Sequence, residues 1–153
     1  MTTEQSKEEL IAELDQSVRE TLSYFEGIGQ ASEARIDQWG AWEVLAHLPY
    51  WHYATAWGIE SGTAGGPPWL LSAGADELNA TCLKLHEGES FEELISQLER
   101  AQERLVRATQ GCVDLDADAL GMPGGRMLTV RERLRMITGH WRNHARELDE
   151  AAG

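Results

Sequence analysis

His140 and His144 are the residues whose type and spacing could do chemistry. They lie in the stretch Thr129–Ala151, TVRERLRMITGHWRNHARELDEA, which reads as one long helix. Four residues is a little over one helical turn, so both imidazoles leave the same face, one above the other. That face is also the apolar face, marked by Val130, Leu134, Ile137, Trp141 and Leu148. Two histidines so placed can hold a divalent metal if a third ligand comes from elsewhere. Trp141 follows His140, so the HExxH pattern of metalloproteases is absent.

His47 is the candidate third ligand. It sits on the apolar stripe Val44, His47, Trp51, Ala54, Gly58 of a second helix spanning roughly 40–60. Helix bundles build metal sites from facing helices, and three neutral imidazoles leave a coordination position open for water or substrate. Nitrogen ligation suits zinc, nickel, iron or copper better than magnesium or calcium. The competing reading is packing, because a single histidine on an apolar stripe is more often a satisfied core residue. A second at i, i+4 and a third on another buried face move the balance toward metal. Glu43, one turn before His47, could orient its free ring N–H; otherwise it is a solvated charge at a helix start. His52, five residues beyond His47, is expected to point away from it, and His86 to sit at a helix end, both as surface or cap residues. The six tryptophans default to core. Trp51, on the histidine stripe, and Trp69, in a loop, are the two expected to line a pocket.

The elements that must position these residues follow from pattern. Ser6–Glu9 is a capping box, followed by Leu10, Leu14, Val18, Leu22 and Phe25 at helical spacing, a helix of about 6–27 ended by Gly27 and Gly29. Pro49 lies inside the second helix, where a kink beside His47 is expected. Residues 61–74 read as a loop whose Trp69, Leu70 and Leu71 are too apolar for solvent, a candidate lid. A short helix over 75–86 follows. Ser90–Glu93 caps a helix to about Thr109, residues 110–128 form a second long loop, and Thr129–Glu132 caps the last helix. No stretch alternates with period two for long enough to argue a strand. The expected architecture is all-α, a four-helix bundle with long connections, in one domain over 1–153.

Composition excludes some functions. Acidic residues outnumber basic ones 26 to 13, giving a net charge of −13, so neither a nucleic acid nor an anionic membrane is an expected partner. Arg131, Arg133, Arg135, Arg142 and Arg146 alternate with acids and read as a solvated, ion-paired face. Cys82 and Cys112 make no disulfide framework or CxxC site. With no signal peptide and no apolar run near the roughly 20 residues of a membrane span, the expected location is cytoplasmic.

WEVLAHLPYW, the segment Asp76–Ala80 (DELNA) and LTVRERLRMITGHWRNHARELDE together resemble the DinB/YfiT-like superfamily of four-helix bundles. The resemblance spans most of the chain and places His47, His140 and His144 on that superfamily's metal positions. It implies a bacterial small-molecule enzyme carrying a divalent metal (zinc, nickel or iron). The leading expectation is a transferase or isomerase that uses a low-molecular-weight thiol (mycothiol, bacillithiol or glutathione) on an electrophilic substrate. The alternatives are a metal-dependent hydrolase or small-molecule resistance protein, and a non-catalytic bundle that sequesters a ligand. Asn79 matches a recurrent asparagine of the superfamily, with a structural hydrogen bond as its expected role. The resemblance and the apolar segment Trp69–Leu71 also point to a homodimer.

Overall fold

A computed structural model describes residues 5–26 and 40–152. Among the described residues there are five helices: α1 (Lys7–Glu26), α2 (Ala41–Thr63), α3 (Ala75–Leu85), α4 (Phe91–Gln110) and α5 (Val130–Ala152). Three short strands join them: β1 (Trp69–Leu70), β2 (Asp118–Gly121) and β3 (Met127–Thr129). The helix stop expected at Gly27 and Gly29, and Trp39, lie outside the described residues.

The capping chemistry works as the sequence implies. The Ser6 hydroxyl accepts from the Glu9 backbone N–H, and the Ser90 hydroxyl from that of Glu93. Thr129 and Glu132 form the full reciprocal box: each side chain accepts from the other's backbone N–H at 3.1 Å. The apolar stripes then turn inward. Leu10, Leu14, Val18, Leu22 and Phe25 of α1, Leu94, Leu98, Ala101 and Leu105 of α4, and Val130, Leu134, Ile137 and Trp141 of α5 are all buried. The long helices pack chiefly as two pairs, α1 with α5 and α2 with α4, and the pairs close on each other into one bundle.

Helix α2 is the central element. It is buried at Val44–Pro49, at His52, over Ala54–Ala56, and at Gly58 and Ile59, so its burial is not confined to one stripe. Pro49 is buried within it; lacking an N–H, it cannot bond the carbonyl of Leu45.

The two connections are more ordered than loops. β1 pairs in parallel with β2, and β2 pairs antiparallel with β3 across an irregularity at Asp118/Leu120. Strands of two to four residues are too short to show alternation, which is why the sequence pattern misses them. β2 rests directly on α2 at Gly58, where a Cβ would stand 1.9 Å from the Ala119 carbonyl oxygen. Leu120 and Leu128 bury with Ala54 and Leu71 in a second small core, and β3 runs without a break into α5. The sheet thereby fixes where α5 begins relative to the middle of α2.

Candidate metal centre

His47 projects from α2 and His140 and His144 from consecutive turns of α5, and the structure brings all three together. One ligand atom from each lies within 4.8 Å of the others. The Nε2 atoms of His47 and His140 are 3.2 Å apart. Two nitrogens at about 2.1 Å from one ion in tetrahedral coordination stand about 3.4 Å apart, so this pair is already at ligand spacing. Burial grades outward, from fully buried His47 through half-buried His144 to His140, which has an exposed edge.

The tautomer of His47 is set by its own helix. Its Nδ1 bonds the backbone carbonyl of Val44, one turn back, and the Glu43 carbonyl adds to this. Nδ1 therefore carries the proton, and Nε2 presents its lone pair to the other two rings. The orienting role considered for the Glu43 carboxylate is taken by backbone. Burial, reinforced by the two neighbouring imidazoles, pushes His47 down to about 3. Burial, then His144 and Arg133, takes His140 down to about 4. Burial lowers His144 as well. All three rings are neutral near pH 7, the form that binds metal. The Nδ1 atom of His144 is buried with no hydrogen-bond partner among the described residues. A ring nitrogen left without a partner beside two clustered imidazoles fits a nitrogen-liganded divalent ion.

A cavity of about 170 Å³ opens beside the cluster, which His140 alone of the three histidines lines. Trp51, Leu48 and His52 line it from α2, Asn79 from α3, Leu120 and Met122 from the β2 region, and Arg133, Met136, Ile137, His140 and Trp141 from α5. Trp51 donates its indole N–H to Asn79 Oδ1 at 2.8 Å, so the structural bond expected of Asn79 is one that orients a cavity wall. Trp69 is not among the lining residues. It donates to the Tyr50 hydroxyl and packs against the rings of Tyr50 and Trp57, at the strand that replaces the expected lid. Trp57 is itself 38 % exposed, against the default of core.

Two further expectations are corrected. His52 is not a surface residue: it is fully buried, and its Nε2 accepts from the Trp141 indole at 2.7 Å. Burial, then the Arg133 charge, pushes it down to about 3. α2 is packed on the side of His52 as well as on that of His47. His86 does cap α3, where it meets Glu89 at 3.1 Å. Arg133 departs from the solvated face assigned to the α5 arginines. It is 6 % exposed, whereas the half-buried Arg131 pairs with Asp116 and the exposed Arg146 with Glu150. The signal for Arg133 was present: it stands one turn before Ile137 and two before His140 and Trp141, on the buried face.

Comparison with known proteins places this arrangement among solved structures. No protein-family model matches the sequence, and no curated protein matches it. In structure the chain is similar to an uncharacterised protein from Escherichia coli UTI89 (TM-score 0.75, 17% identity, 98% of this chain and 94% of that one). It is similar also to a protein from Streptococcus pneumoniae (TM-score 0.71, 16% identity, 100% of this chain and 95% of that one). These likenesses show the fold alone, a mostly helical bundle. A characterised enzyme shares it: the mycothiol-dependent maleylpyruvate isomerase, at TM-score 0.78 and 18% identity over 97% of this chain. The chain spans 63% of that enzyme's length.

Proposed function

We propose that this protein is a divalent-metal-dependent small-molecule enzyme, a transferase or isomerase that uses a low-molecular-weight thiol against an electrophilic carbon. The observation that carries the reading is the convergence of three neutral imidazoles from two helices at the edge of a cavity. His47, His140 and His144 would hold zinc, nickel or iron and leave a position open. An ion bound there lowers the pKa of a thiol or water that reaches the open position. The residues of the chain do the rest. Leu48, Met122, Met136 and Ile137 give the cavity apolar walls, and Trp51, held by Asn79, supplies a flat one.

One feature favours a thiol over water as the nucleophile, and a second bears on where a thiol would come from. No Asp or Glu lines the cavity among the described residues, so no carboxylate stands ready as a general base for hydrolysis. Neither cysteine lines it: Cys82 and Cys112 are buried elsewhere, and burial pushes both thiols up. A sulfur nucleophile therefore has to come from solution, in line with the mycothiol-dependent enzyme that shares the fold. The small-molecule substrate would be the second partner.

The test is elemental analysis of untagged protein beside a His140→Ala/His144→Ala variant, followed by a thiol panel (mycothiol, bacillithiol, glutathione) against an activated enone. The expected result is about one equivalent of metal in the parent, loss in the variant, and thiol consumption only by the loaded parent. No metal in the parent after reconstitution overturns the reading. Metal binding with hydrolysis of esters and no thiol consumption would favour the hydrolase instead.

A further inference from the structure

Arg133 is a buried cation without an anion among the described residues. Its Nε donates to the Thr55 hydroxyl at 3.2 Å, and its guanidinium carbon lies 5.7 Å from the centre of the Trp51 ring. Its two terminal nitrogens have no partner among the described residues, and the side chain lines the cavity. An arginine has five N–H donors in a planar fork, so most of its capacity is unspent here. A charge this deeply buried is ordinarily paired. The rest of the molecule has carboxylates in plenty, 26 of them, and its surface arginines use them. None lines this cavity among the described residues.

The surroundings fit a flat anion. Thr55 and the Trp51 face fix the plane of the guanidinium, and Asn79 fixes Trp51, so the fork is held before anything binds. A carboxylate matches that fork with two parallel hydrogen bonds. Arg133 stands seven residues before His140 on α5, about 10 Å along the helix axis. A small molecule bound at the guanidinium could therefore reach the imidazoles with its other end. The lining between them, Met136 and Ile137, is apolar and would accept a short hydrocarbon chain.

We propose that Arg133 is the carboxylate-recognising residue of the cavity, so that the molecule bound beside the three histidines carries a carboxylate at the end remote from them. That this molecule is a substrate rests on the reading of the cavity as an active site; the binding of a carboxylate does not.

The experiment uses metal-free protein, so its outcome is independent of whether the histidines bind an ion. Butyrate, the neutral isostere butyramide and inorganic phosphate are titrated while tryptophan fluorescence and calorimetry are followed. Butyrate is expected to bind saturably and butyramide about 10- to 100-fold more weakly, the range for a hydrogen-bonded charge pair. Arg133→Met is expected to abolish the difference. Arg133→Lys, which keeps the charge but not the fork, is expected to lose about 10-fold or more. Should Arg133→Met fail to fold, the parent alone decides. Butyrate is then expected to protect Arg133, and not Arg131 or Arg135, from an arginine-selective dicarbonyl reagent, as located by peptide mass. Equal binding of butyrate and butyramide, preference for phosphate, or absence of protection would each overturn the proposal.

Discussion

His47 owes its reactivity to its position in a helix as much as to its neighbours. A carbonyl one turn back holds Nδ1 and leaves Nε2 bare. The same burial that prepares the rings has a cost in acid. The folded pKa is lowered from 6.5 to about 3 for His47 and His52 and to about 4 for His140. An unfolded chain takes up these protons near pH 6.5, so below that pH it binds more protons than the folded one. Stability of the metal-free protein should be full above pH 6.5 and fall as the pH drops toward 4. Urea midpoints at pH 7.5, 6 and 5 check this, and a midpoint unchanged down to pH 5 would mean the rings are not held neutral. The pair His140 and His144 was legible in the sequence because i, i+4 spacing on an apolar face is a local signal, and His47 because it sits on the apolar stripe of another helix. The cavity arginine was hidden by composition: among five α5 arginines alternating with acids, one inward-facing member looks like the rest. Only the helical offset from His140 distinguishes it.

Helices α1, α4 and α5 were legible because each announces itself twice, by a capping pair and by an apolar stripe, whereas α2 and α3 begin after glycines without a side-chain cap and were read from pattern alone. The strands were not, since two to four residues cannot display a period. Their consequence for the site is nonetheless large. β2 sits on α2 only because residue 58 has no side chain. Gly58→Ala would drive a methyl into the Ala119 carbonyl, a backbone atom with little room to move. We expect a loss of about 3 kcal/mol, the upper part of the range for overpacking, read from urea denaturation. A Gly121→Ala change meets only the ends of Leu70 and Met127, and is expected to cost less. Equal costs would show that β2 does not bear on α2 as described.

At the scale of the molecule, an ion bound to the folded chain alone should raise its stability by mass action. Free zinc at a hundred times its dissociation constant adds about 2.7 kcal/mol. For a chain of this size that is a rise in Tm of roughly 5–10 °C, measured by calorimetry with and without chelator. The His140→Ala/His144→Ala variant should show none. No helix is long and apolar enough to cross a membrane among the described residues, and the acidic balance sets the whole molecule against nucleic acid.

The helices associate chiefly as α1 with α5 and α2 with α4, yet the three imidazoles are divided between α2 and α5. Whatever joins them therefore spans the seam between the two halves of the bundle. Filling the site would act as a rivet across the plane along which the halves can slide. The slowest-opening amides on loading should then be those of α2 and α5 facing that plane, and hydrogen exchange there would report occupancy without any assay of turnover.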